Sequence, residues 1–282
     1  MKVKVEMKDS PAPAEICNHP FHPSHKLKLV TAAADPDAAG KFVCDGCKEK
    51  GGVGCPRYTC EDASCDFDLH ASCALAPDVL PEHPLFKGSA FVLLHEPPPP
   101  TPTDDPGLIT VCDACGDEVC GFVYHCFDGD LDIHPCCANL PDRVVALDGV
   151  VFELCHGRTA PRRCLLCTGK KSRRRCRRKY WTYSNNDLDD GEAVHLHVAC
   201  VKKMAYENSS AAGSSSSHWN MQVTRALVQT GALSLKKKGK SRSAFQKFVK
   251  IVVFVLRVVV GVLFGDPTAL AVAVVGLVFP NG

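Results

Sequence analysis

Aromatic residues make up only 7% of the chain, and no Cys follows Cys200. The first scarcity excludes a large aromatic core. The second divides the chain into a thiol-rich territory, from Cys17 to Cys200, and a thiol-free one. No long amphipathic helix pattern spans the thiol-rich part, which Pro, Gly and Asp interrupt repeatedly. Such a segment buries little apolar surface, and folds of that kind need staples. The marks of catalysis are also missing: there is no Gly-rich phosphate loop, no paired-carboxylate setting and no His-Glu-x-x-His. The expectation is a non-enzymatic protein. The opening MKVKVEMKDSPAPAE holds no apolar run of signal-peptide length and no small-residue cleavage pattern. An intracellular chain, in cytoplasm or nucleus, is therefore expected, where stable disulfides are rare. The net charge of +2 singles out no class of partner.

What is abundant is 18 Cys and 12 His. They recur as a unit: Cys-x-x-Cys, a variable stretch, then His-x-x-Cys. The first copy pairs Cys44 and Cys47 with His70 and Cys73, the second Cys112 and Cys115 with His134 and Cys137, and the third Cys164 and Cys167 with His197 and Cys200. Two thiolates two residues apart can turn back onto one ion, and a His-x-x-Cys at the start of a short helix adds a nitrogen and a sulfur from one turn. Four protein donors fill a zinc tetrahedron, the mark of a structural site; a catalytic zinc keeps one position open for water.

The first copy carries a second set. Cys60 and Cys65 lie between its half-motifs, and His19-Pro-Phe-His22-Pro-Ser-His25 precedes them. His22 and His25 are the favoured partners of Cys60 and Cys65, with His19 as a spare. The second copy keeps Cys126, but Gly129 stands where Cys65 would be. A second site there needs an oxygen from Asp128 or Asp130 and nitrogen from His83 or His95. The third copy has Trp181-Thr-Tyr183-Ser184 in place of a Cys pair and should hold one ion. The expected cofactor is zinc, about four ions per chain. Cys17, Cys55, Cys120, Cys136, Cys155 and Cys176 have no assigned role, either as ordinary reduced thiols or as redox-active pairs.

The run HPSHKL, CDGC and YTCEDASCDFDLHASC in the first copy resembles the divergent C1 (DC1) module of plants, a relative of the diacylglycerol-type C1 zinc finger. The resemblance extends over about residues 17–200 and weakens in the second and third copies. It implies small zinc-nucleated α+β modules in tandem, each with short strands and one short helix carrying His-x-x-Cys, and suggests roles in signalling or stress responses. Diacylglycerol binding is not expected, because the further Cys of that finger is missing: Pro81, Val145 and Asn208 occupy the places.

The organisation read from these features is 17–77, 83–141 and 150–204 for the three modules, 205–244 for a linker, and 245–280 for an apolar C-terminal tail. Glu96 to Pro106 is a proline-rich spacer, and Ser209 to Ser217 a flexible one. Lys170 to Lys179 is a dense basic run inside the third copy, read as a localisation signal, a nucleic-acid contact or a solvated insertion. Tyr180 and Trp181, which follow, either stack on bases or pack against the zinc site. In the tail, Ile251 to Phe264 is apolar except for Arg257, and Asp266-Pro267 interrupts before a second apolar stretch. Each half is shorter than the ~20 residues of a spanning helix. On a helix, Lys247, Lys250 and Arg257 share one side. Two fates stay open for the tail: the membrane surface, or burial against protein. The function expected is a zinc-stabilised adaptor with protein partners, tethered or not by its tail. A nucleic-acid-contacting nuclear protein and a thiol-disulfide reductase are the alternatives.

Overall fold

The computed structural model describes residues 12–31, 41–52, 55–99, 109–146, 149–157, 164–167, 181–188, 192–208 and 242–264. Three antiparallel four-stranded sheets follow one another along the chain. The first comprises β1 (Glu15–Ile16), β2 (Leu27–Val30), β5 (Arg57–Cys60) and β6 (Asp68–His70), with a hairpin of β3 (Phe42–Val43) and β4 (Lys50–Gly51) beside it. The second is β7 (Val79–Leu80), β8 (Phe91–Leu94), β9 (Val123–Cys126) and β10 (Leu131–Ile133). The third is β11 (Arg143–Val145), β12 (Val151–Cys155), β13 (Thr182–Leu188) and β14 (Glu192–His197). After each sheet comes a helix: α1 (Ala71–Ala74), α2 (Pro135–Ala138) and α3 (Val198–Asn208). Each Cys-x-x-Cys lies between the second and third strands of its sheet.

One row of buried or half-buried apolar side chains repeats in all three sheets. Leu29, Tyr58 and Leu69 are cross-strand neighbours in the first, Leu93, Tyr124 and Ile133 in the second, and Leu154, Tyr183 and Leu196 in the third. Cross-strand contacts of this kind are the unit of sheet stabilisation. The tyrosine is the centre of each row, and burying it requires a partner for its hydroxyl. That partner is the carbonyl of a proline just ahead of the first strand: Tyr58 donates to Pro13 at 2.6 Å, Tyr124 to Pro77 at 2.8 Å and Tyr183 to Pro141 at 2.7 Å. The sheets thus begin at Glu15, Val79 and Arg143, ahead of the starts at 17, 83 and 150 drawn from the Cys and His pattern. The first strand of each sheet carries no metal ligand, so a ligand pattern does not register it.

The units stack by a repeated contact. Phe122, just before β9, donates its N–H to Gly46 O in the Cys-x-x-Cys turn of the first unit at 2.9 Å, and Trp181, just before β13, donates to Ala114 O in the second at 3.2 Å. Phe122 and Trp181 hold the same place relative to the central tyrosine, and Gly46 and Ala114 the same place in the turn. Phe122 packs on Phe21 at 4.5 Å, and Trp181 lies 5.2 Å from His83 and 6.0 Å from Phe86. Trp181 is 1% exposed. It is a wedge between two units and presents no face for stacking on bases. Tyr180 and the basic run at 170–179 fall outside the described residues.

The tail begins as α4 (Arg242–Leu263), which packs on α3, α2 and β11. Ile251, Val252, Val255, Leu256, Val258, Val259 and Leu263 are buried, and the Phe264 ring meets Tyr206 edge-on at 5.0 Å. Lys247, Lys250 and Arg257 are exposed, as their shared helix side requires. No helix among the described residues is long and apolar enough to cross a membrane. The second apolar stretch, with Asp266-Pro267, lies outside the described residues.

Gly121 makes the first stacking contact possible, since a Cβ there would collide with Gly46 O. Gly121→Ala should therefore cost about 1–3 kcal/mol, the usual range for overpacking, read as a lower Tm of the zinc-loaded chain. An unchanged Tm would mean that the first two units do not stack this closely.

Candidate metal centre

Four clusters of Cys and His gather among the described residues, each with four ligand atoms lying within 4.8 Å of one another. They are Cys44, Cys47, His70 and Cys73; Cys112, Cys115, His134 and Cys137; Cys164, Cys167, His197 and Cys200; and His22, His25, Cys60 and Cys65. The first three follow one plan. The Cys-x-x-Cys turn supplies two thiols, the last strand ends at the histidine or one residue before it, and the histidine directly precedes the helix that carries the third thiol. Pro135 at the start of α2 suits this helix, because its missing N–H would be an orphan there anyway. In the turns, Lys48 N–H bonds to Cys44 O at 2.9 Å and Gly116 N–H to Cys112 O at 2.7 Å, which bends the second sulfur back towards the first. Lys48 and Gly116 take positive φ of 61° and 75° to do this.

Backbone donors already point at the first sulfur of each set. His70 N–H reaches Cys44 Sγ at 3.4 Å, His134 N–H reaches Cys112 Sγ at 3.4 Å, and His197 N–H reaches Cys164 Sγ at 3.2 Å. In the first two units the Asp of Cys-Asp-x-Cys braces the turn against the last strand. Asp45 accepts the Asp68 N–H and Asp113 the Asp132 N–H, both at 2.9 Å. Leu165 replaces that Asp in the third unit, and only the backbone half survives, from Leu165 N–H to His195 O at 2.8 Å.

The electrostatics call for a cation. Burial pushes the thiols of Cys44, Cys112 and Cys164 up, yet hydrogen bonds from their neighbouring thiols hold all three well below the usual range. The last thiol of each set, on Cys73, Cys137 and Cys200, is pushed well up by its hydrogen bond to that first sulfur, and burial adds to this. Several thiols so close cannot all be anionic alone, whereas a divalent cation lets them be. Zinc fits the spacing. Bonds of about 2.3 Å to sulfur and 2.0 Å to nitrogen in a tetrahedron place donors about 3.5–3.8 Å apart. The structure has Cys47 Sγ to His70 Nδ1 at 3.4 Å, Cys115 Sγ to His134 Nδ1 at 3.5 Å, Cys167 Sγ to His197 Nδ1 at 3.4 Å and Cys167 Sγ to Cys200 Sγ at 3.6 Å.

The fourth cluster uses β2 and β5 differently. His22 Nε2 lies 3.2 Å from Cys60 Sγ and 3.7 Å from Cys65 Sγ, and His25 Nδ1 lies 3.5 Å from Cys60 Sγ. Phe67 stacks on the His22 ring at 4.4 Å, and Asp62 lies 3.5 Å from His25 Nε2. A carboxylate on the far nitrogen of a ligating histidine fixes its orientation. His19 is not a ligand. It is buried, and its Nδ1 accepts the Phe21 N–H at 3.3 Å to close the turn.

The second site expected from Cys126 is not assembled. Cys126 is buried but belongs to no cluster, and Asp128, Asp130, His83 and His95 join none. His83 repeats the turn of His19, accepting the Leu85 N–H at 3.2 Å, and the bridge His83↔Phe86 repeats His19↔His22. Phe86 therefore stands where a ligand stood and packs on Phe91 and Trp181 instead. The nitrogen ligands gave way to the wedge between units. Cys17 and Cys120 are exposed, Cys55 and Cys155 half-buried and Cys136 buried, while Cys176 lies outside the described residues.

The sequence reading missed three polar residues beside the central cluster. Lys202 on α3 is 1% exposed, ion-paired to Glu49 and to Asp117 (2.9 Å), and donates to Cys115 Sγ at 3.4 Å. Burial would lower the lysine pKa, but the negative groups around it hold the pKa well above the usual value. Glu49 also lies 3.6 Å from His134 Nε2. The three come from three different units, and no local motif signals them.

Four such clusters in small β-rich units define a zinc-binding protein of tandem modules, compatible with about four ions per chain. Residues 20–74 match the family model described as C1 domain, which is consistent with a C1-like cysteine- and histidine-rich module in the first unit. Over 60 residues, 21% of this chain, the sequence is 38% identical to "Probable nucleoredoxin 1" of Arabidopsis thaliana, and the match spans 8% of that protein's length. No solved structure matches the chain.

Elemental analysis of protein purified without added metal should give four zinc ions per chain. Cys112→Ser should remove one of them and Cys126→Ser none. A loss of zinc with Cys126→Ser would reinstate the second site of the middle unit.

Proposed function

We infer that the chain is a non-enzymatic adaptor, a zinc-stabilised scaffold for protein partners in signalling or stress response. The observation that carries this reading is the closure of the clusters. Each gathers four protein donors, enough to fill the tetrahedron without water. All three Cys-x-x-Cys pairs are spent in this way. That counts against the thiol-disulfide reductase reading, which otherwise has the printed name of the Arabidopsis relative in its favour. The tail enters the proposal as packing. The apolar side chains of α4 are turned onto α2, α3 and β11, leaving its basic side outward. That arrangement stabilises the array and, over the described side chains of α4, turns the apolar side towards protein.

Proximity labelling with the full chain should identify partners that are lost in Cys112→Ser and restored with that residue. Insulin reduction by the zinc-loaded chain should stay at background. Turnover in that assay would replace the adaptor with the reductase. Deleting residues 242–282 should lower the Tm by several degrees, since a buried helix is lost. Flotation of the full chain, but not the truncated one, with phosphatidylserine vesicles would make the tail a tether instead.

A further inference from the structure

The central cluster of Cys112, Cys115, His134 and Cys137 is fully buried, and the groups around it are not supplied by its own unit alone. His134 turns Nδ1 towards the Cys115 sulfur at 3.5 Å, so Nδ1 would be the ligand atom and Nε2 is left to be satisfied. That atom is buried and makes no hydrogen bond, and Glu49 Oε1 of the first unit faces it at 3.6 Å. Lys202, from the helix of the third unit, donates to Cys115 Sγ and pairs with the same Glu49. Asp117, two residues beyond Cys115, accepts from Lys202 on the other side. Tyr206, one helical turn beyond Lys202, directs its hydroxyl to Glu49 Oε2 at 3.4 Å. The fourth cluster is a useful contrast, because the carboxylate behind His25 is Asp62 of the same unit.

We propose that the central zinc site is completed in trans: Glu49 of the first unit and Lys202 of the third act as positioning residues for His134 and Cys115, so that one ion ties all three units together. The chemistry is that of outer-shell support. A carboxylate behind a ligating imidazole fixes its ring and raises its basicity, and partners of this kind matter to affinity nearly as much as the ligands. The ammonium offsets part of the negative charge of three thiolates, and its hydrogen bond orients the sulfur. A buried lysine and glutamate would be costly alone. They are kept together here because both touch the metal cluster as well as each other. Metal release at the centre is therefore linked to separation of the units.

The inference rests on zinc occupying the cluster, and the experiment separates the two. The full chain is loaded with zinc, and its transfer to a colorimetric chelator is followed, with the central phase identified as the one missing in Cys112→Ser. Lys202→Met and Glu49→Gln should each speed the central phase by roughly tenfold or more, the range for loss of an outer-shell partner, and leave the other phases in place. Lys203→Met, next along the helix, should move none. Cadmium NMR of the substituted chain should show the central resonance shifted and the other three at their positions, a signature that general destabilisation does not give. Should Lys202→Met fail to fold, Glu49→Gln, which conserves volume, decides alone. An unmoved central phase, or equal acceleration of all phases, overturns the proposal and leaves the zinc sites standing. Fewer than four ions in the unmodified chain would overturn the zinc reading and the proposal with it.

Discussion

The rest of the molecule depends on the tie between a Cys-x-x-Cys turn and the His-x-x-Cys at the end of the last strand. Each unit has strands of only two to seven residues, and in the first two units a helix of only four. Elements that short do not hold a fold by themselves, and a two-stranded piece is marginal in water. Four donors on one cation join the loop between the second and third strands to the last strand and its helix. Binding energy of this kind acts as folding energy. The buried tyrosine row then has a rigid frame to pack in, and the proline ahead of each sheet gives its hydroxyl a partner.

The second organising feature is that the turn serves two purposes. Its sulfurs face inward to the metal position, and its carbonyl at Gly46 or Ala114 faces the next unit. Metal ligation and stacking are therefore coupled through one short loop. This explains the different fates of the second sites. The first unit keeps His22 and His25, whereas in the middle unit Phe86 occupies the place of His22 and rests on Trp181. In the middle unit that position goes to the aromatic joint between units, where Phe86, Phe91 and Trp181 meet. The tail follows the same logic, as α4 covers α2 and α3, surface that the short helices could not shield for one another.

At the central cluster the Cys115 sulfur, Glu49 and Asp117 surround one buried ammonium, that of Lys202. The middle of a linear array is the one place that two neighbours can reach at once, so the shared charges collect there.

The ligands were legible in the sequence because zinc demands them at fixed spacings. Cys44-x-x-Cys47 with His70-x-x-Cys73, and the two later copies, are local patterns whose chemistry needs no tertiary context. His22 and His25 were favoured over His19 without the spacing settling the choice, and helical periodicity marked the exposed side of α4 with its Lys and Arg. The first strand of each sheet was not legible. β7 and β11 have no ligands and too few residues for periodicity to mark them, although the prolines at 13, 77 and 141, spaced at equal intervals, were a signal that went unused. Cys126 was misleading, since a lone thiol in a repeat shows ancestry without showing whether its partners survive in space. The sequence by itself determined which Cys and His residues of the three repeated motifs gather into clusters. Only the tertiary structure decided what surrounds those clusters, that Trp181 is a wedge and that Glu49 and Lys202 meet, because contacts between units join residues that no spacing rule connects.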